Sequence, residues 1–127
     1  MRITAACLAL MPFLVWAHHS AQAEYDASRL VVLAGRVTKV EWSNPHVHFY
    51  LEVMRPAAET WYLELGSPNV LRGQGWLPNT LQPGDRVRVE AYPSRDRAGL
   101  AKTHRVRLAG GRWLFGDSSS GQAGAAP

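Results

Sequence analysis

Residues 31–42 read V-V-L-A-G-R-V-T-K-V-E-W, and the fold turns on this run. Val31, Leu33 and Val37 fall on one parity of a strand, whereas Val40 and Trp42 fall on the other, with Gly35 between them. A strand shows the same face at every second residue, so an apolar set that changes parity requires a bulge or a sharp bend. A long strand that swaps its buried face in this way serves both halves of a closed barrel.

Downstream, Asn44-Pro45 makes a turn, because proline fixes its own φ and biases its predecessor away from helix. Residues 46–54 then alternate cleanly. Val47, Phe49, Leu51 and Val53 take the apolar face, and His46, His48, Tyr50 and Glu52 take the other. Residues 60–65 form a third strand with Trp61, Leu63 and Leu65 inward. Ser67-Pro68 reads as an N-cap followed by proline at the first helical position, opening a short helix that ends near Gly73 or Gly75. Pro83-Gly84-Asp85 turns into a fourth strand over 86–92 with Val87 and Val89 inward. A fifth covers 100–108, and Gly110-Gly111 leads to a last short segment at 113–115. The order predicts an all-β domain with one short helix: an OB-fold-like five-stranded barrel, its helix between strands 3 and 4. Another small barrel or a sandwich is the alternative packing of the same strands.

Upstream, Arg2 precedes an apolar stretch over residues 5–16, too short to span a bilayer. Val15 and Ala17 suit a signal peptidase, so residues 1–17 read as a signal peptide and the mature chain begins at His18. A rival cut after Ala23, at Ala21-Gln22-Ala23, removes both His18 and His19. The expected division is a leader at 1–17, a flexible arm at 18–30, the barrel at 31–115 and a disordered tail at 116–127, rich in Gly, Ser and Ala. The expected location is the periplasm. Cys7 leaves with the leader, so disulfides are excluded in the mature chain. No second apolar stretch reaches membrane-spanning length. The chain carries a formal net charge of +4, and twelve of its fourteen basic residues are arginine, which suits carboxylate and phosphate contacts. Export argues against nucleic acid as the partner.

Histidine supplies the strongest chemical pattern. A chain beginning at His18 carries an amine and an imidazole on one residue, a chelate for a divalent metal. His46 and His48 point out from the same face of a strand, roughly 6–7 Å apart, within reach of one ion. Glu52 extends that row, and Glu64 on the next strand lies beside it. Imidazole donors favour Cu(II) by intrinsic affinity. His18, His46 and His48 are therefore the candidate metal ligands, with His19 in reserve. The chemistry resembles the histidine brace of copper oxygenases and copper chaperones. The plain alternative is two solvated histidines on a strand and a polar start to an arm. His104 shares its parity with Val106 and Leu108 and reads as a neighbour of the core.

Among the aromatics, Trp42 and Trp61 group with core positions, and Trp76 reads as a lid on the barrel end. Tyr50 and Tyr62 face outward on adjacent strands. With Glu52 and Glu64 they form the candidate ligand-binding face for an envelope protein, a peptide, a glycan or another small ligand. No catalytic motif emerges: Ser67 is explained by helix capping, and outward-facing Glu52 and Glu64 lack the buried setting that separates paired carboxylate pKa values.

The segments H-H-S at 18–20, E-Y-D at 24–26, G-R-V-T-K-V-E-W-S-N-P-H at 35–46, G-S-P-N-V-L at 66–71, Gly75-Trp76 and L-Q-P-G-D-R-V at 81–87 together carry a resemblance. The chain resembles a family of small exported bacterial proteins classed as a domain of unknown function. The resemblance implies export, a single β-barrel domain and cleavage before His18, and it implies no activity.

Overall fold

The barrel is organised around its first strand, β1 (Val31–Glu41). In a computed structural model that describes residues 24–117, the first half of β1 pairs antiparallel with β4 (Arg86–Pro93), from Val31 opposite Ala91 to Arg36 opposite Arg86. Its second half pairs with β2 (His48–Val53), from Arg36 opposite Glu52 to Glu41 opposite His48. The register slips between Val37 and Lys39, leaving Thr38 as the extra residue. The change of face expected from the sequence is therefore present, at Thr38 and not at Gly35. Gly35 answers a different need. A Cβ there would collide with the carbonyl oxygen of Glu52, so only glycine lets β1 and β2 approach this closely.

β2 pairs with β3 (Glu59–Glu64) as an antiparallel hairpin, and β4 pairs with β5 (Leu100–Arg107) in the same sense. A parallel contact between β3 and β5, with Tyr62 opposite Leu100 and Glu64 opposite Lys102, closes the sheet into a five-stranded barrel. β6 (Trp113–Phe115) adds to the far half of β5 as an extra strand. α1 (Pro68–Gly73) lies between β3 and β4, as the strand count predicted. The Ser67 hydroxyl accepts from the Val70 N–H at 3.3 Å, and Pro68 occupies the first turn, where no N–H is needed.

The inward side chains are those the alternation selects. Val47, Phe49, Leu51, Leu63, Leu65, Val87 and Val89 are buried, and Trp76 closes one end with its indole N–H donating to the Phe115 carbonyl at 2.8 Å. Each fully buried large apolar side chain contributes about 1.5–3 kcal/mol. Trp42 and Trp61 pack against this core while remaining partly accessible.

Three features depart from the sequence reading. The β4–β5 register slips between Glu90 and Ala91, with Arg105 opposite Glu90 and Thr103 opposite Ala91, so His104 is the extra residue. Thr103 takes the buried position instead. His104 sits outside, edge-on to Tyr92 at 5.6 Å and to Phe115 at 6.0 Å. A bulge erases the parity that placed His104 with the core. Second, the arm expected to be free through residue 30 is tied down from Glu24: Arg95 N–H donates to the Glu24 carbonyl, Asp26 N–H donates to that of Pro93, and Tyr25 is buried. Third, packed structure runs through Asp117, past the expected boundary at 115. Gly116 N–H donates to the His104 carbonyl, and the Gly116 carbonyl accepts from Gly66. The leader, His18, His19 and the tail from residue 118 lie outside the described residues.

Candidate functional site

On the outer face of β2 and β3, antiparallel pairing sets His48 opposite Glu64, Tyr50 opposite Tyr62 and Glu52 opposite Thr60. His46 lies just before β2, beyond the Asn44–Pro45 turn, on the parity of His48. Directly opposed side chains are close enough to interact, and diagonal ones remain within reach of aromatic rings. The His48 ring accordingly stacks on Tyr62 with centroids 4.6 Å apart and planes 4° from parallel. Tyr62 in turn meets Tyr50 at 4.9 Å, and the Lys39 ammonium lies 5.5 Å from the Tyr50 ring centre.

Glu64 is the hub. His46 Nδ1 stands 3.3 Å from Oε1, and His48 Nε2 stands 3.7 Å from Oε2. The Tyr25 hydroxyl donates to Oε2 at 2.8 Å. Lys102 Nζ lies 3.9 Å from Oε1 and 3.2 Å from Asp117 Oδ2. The Glu64 side chain is only 14% exposed, so its charge is held by these neighbours more than by water. Burial first, then the hydrogen bond and charge of Glu64, push the Tyr25 phenol far above its usual range, so Tyr25 stays a donor at any physiological pH. Burial likewise raises the Tyr62 phenol, helped by the charge of Glu41. Glu41 itself is held below its usual range, chiefly by its hydrogen bond from Lys39.

Of the side chains singled out from the sequence, His46, His48, Tyr62 and Glu64 come together, with Tyr50 at the edge. Glu52 does not join them. It shares their face but is exposed, four residues further along β2 and opposite Arg36, more than 10 Å away by strand rise. Tyr25, Lys102 and Asp117 were missed. Lys102 reaches Glu64 only because the parallel β3–β5 contact closes the barrel, and Tyr25 only because the arm pairs with Ser94. No local pattern announces either event.

Two imidazoles and one carboxylate therefore adjoin, yet among the described residues no three His, Cys, Asp or Glu side chains form a metal-holding group. Glu64 stands within ion-pair distance of both rings. It lies beside His46 Nδ1 and His48 Nε2 without hydrogen-bonding either, so His46 Nε2 and His48 Nδ1 are the ring nitrogens outside these contacts.

Residues 6–102 match a family described as being of unknown function, DUF6152. The chain belongs to DUF6152. The match spans the whole cluster except Asp117: Tyr25, His46, His48, Tyr62, Glu64 and Lys102 all fall inside it. It also spans His18 and His19, so the arm and the barrel site of this DUF6152 chain lie in one family unit. No curated protein matches the chain. No helix among the described residues of this DUF6152 protein is long and apolar enough to cross a membrane.

Proposed function

We propose that the protein is an exported, non-enzymatic binding protein that holds Cu(II) between His46, His48 and the amine and imidazole of a processed N-terminal His18, with His19 in reserve. The observation that carries this reading is the Tyr25–Glu64 hydrogen bond, which pins the arm to the same carboxylate that both strand histidines face. From Tyr25, seven residues of extended chain span about 23–25 Å, ample for His18 to reach either imidazole. The terminal amine titrates near pH ~8, so a metal displaces its proton readily at neutral pH. Glu64 orients the two rings, and Lys102 balances its charge without occupying the nitrogens left for the metal.

Intact mass of the protein recovered from the periplasm, followed by Cu(II) titration, tests the proposal. A start at His18 with one tightly held Cu(II) supports it, whereas a start at Glu24 removes the terminal chelate and ends it. His46→Ala should lower Cu(II) affinity at least as much as Glu64→Gln, for which loss of the orienting carboxylate predicts about 10–100-fold. Unchanged affinity in His46→Ala excludes the strand histidines as ligands.

The aromatic ladder His48–Tyr62–Tyr50, capped by Lys39, favours a second reading: a metal-free face that stacks a glycan, a peptide or an envelope protein's side chain. Binding of soluble envelope glycans or peptides that persists in chelator and is lost in Tyr50→Ala distinguishes it from the copper reading.

A further inference from the structure

At the end of the barrel away from Glu64 a groove of about 1030 Å³ opens across β1, β4 and the last residues of β2 and β5. Its walls carry Arg36, Arg55, Arg86, Arg88 and Arg107 against Glu52 and Glu59. The register puts Arg36 directly opposite Arg86, and Arg88 directly opposite Arg107. Like charges facing across strands repel. No carboxylate comes within ion-pair distance of these four guanidiniums among the described residues. Glu52, the cross-strand neighbour of Arg36 on its other side, makes no such pair, and Arg107 Nε only donates to the Gly111 carbonyl at 3.4 Å.

Apolar side chains stand exposed beside them. Val32 is 49% and Met54 62% exposed, and both line the groove. β1 pairs with β4 along Val31–Arg36 and with β2 along Arg36–Glu41, and β4 is also paired by β5. The Arg105–Arg107 stretch of β5 is paired by β4 and β6. Recognition at the four arginines rests on guanidinium groups with apolar side chains beside them. Planar, always-charged guanidiniums suit phosphate oxygens, and exposed apolar groups among cations suit a lipid surface.

We propose that this face docks on anionic phospholipid, with Arg36, Arg86, Arg88 and Arg107 on headgroup phosphates and Val32 and Met54 against the tops of the acyl chains. The inference is independent of the copper reading, since none of these residues contributes to the Glu64 cluster.

Co-sedimentation of the protein with phosphatidylglycerol–phosphatidylcholine vesicles, against phosphatidylcholine alone, reads the effect directly. Binding should need the anionic lipid and weaken steeply as salt rises from about 0.1 M to 0.5 M. The double variant Arg86→Glu/Arg88→Glu should lose about tenfold or more in vesicle affinity. Arg88→Gln should lose less, and its unchanged circular dichroism separates a binding defect from misfolding. Val32→Ser/Met54→Ser should weaken binding while leaving its salt dependence in place. Equal binding to phosphatidylcholine, or unchanged binding in both arginine variants, overturns the proposal. Full competition by inorganic phosphate at the vesicles' phosphate concentration overturns it in favour of a soluble-anion site. Full competition by polyglutamate of equal charge overturns it in favour of an acidic partner.

Discussion

The two ends of this barrel treat charge in opposite ways. Around Glu64 each charge has a complement: Tyr25, His46, His48 and Lys102 converge on one carboxylate, and Lys102 also reaches Asp117. In the groove at the other end, Arg36 faces Arg86 and Arg88 faces Arg107. The first arrangement knits the arm, β2, β3, β5 and Asp117 together. The second sets like charges against one another, which costs stability. The comparison separates side chains that hold the fold from those left available to a partner.

Mutations at the two ends should therefore move stability in opposite directions. The largest effect is expected for Glu64→Ala, which strips the shared partner from Tyr25, the histidines and Lys102. Loss of a mostly buried charge hub should cost about 2 kcal/mol, below the cost for a fully buried pair because His46 is half exposed. Urea unfolding measures it, and a change below a few tenths would mean the cluster is merely solvated. Tyr25→Phe removes one hydrogen bond to a charged acceptor and should cost about 1–1.5 kcal/mol. It should also speed proteolysis within the arm relative to the barrel, and equal cleavage rates would show that the arm is not held by this bond.

At the other end, Arg86→Gln should raise stability by a few tenths of a kcal/mol, because it removes one like-charge opposition worth roughly 0.2–1 kcal/mol. A loss would show that Arg86 has a partner in solution. A pH-dependent effect comes from a pair outside both clusters. Between them, Arg105 holds Glu90 through two hydrogen bonds of 2.7 and 3.0 Å, and this pairing depresses the Glu90 carboxyl below its usual value of 4.5. A depressed folded-state pKa adds stability that is complete above the unfolded value and is lost as pH falls through the folded one. The pair is partly exposed, so about 0.5 kcal/mol should disappear as pH drops below roughly 4.5. Glu90→Gln should flatten that part of the stability–pH curve. An unchanged curve would assign the acid loss to other carboxylates.

Much of the barrel was legible along the chain because its signals are local. The alternation over 46–54 put Val47, Phe49, Leu51 and Val53 inward and His46 and His48 outward, and each lies where the period of two sends it. Ser67-Pro68 announced α1 through capping chemistry that involves only its own first turn. The parity change in residues 31–42 announced a bulge, although Gly35 looked like its seat and Thr38 is the residue left over. His104 shows the limit. Its alternation with Val106 and Leu108 is plain in the sequence, but a slip against β4 moves it outside and buries Thr103.

Along residues 46–54 the amino-acid sequence by itself determined which side chains face the core and which face out, since a strand's two faces follow from backbone geometry at each residue. It also determined that His46, His48, Tyr50 and Glu52 share one face. Tertiary structure alone decided which of these matter together. Closure of β3 on β5 brought Lys102 to Glu64, and the arm's bridge to Ser94 brought the Tyr25 hydroxyl there, 39 residues away along the chain. The same barrel register left Glu52 at the far end and set four arginines against one another. Pairing between distant strands depends on how the sheet curls and closes, and no short-range period encodes that choice.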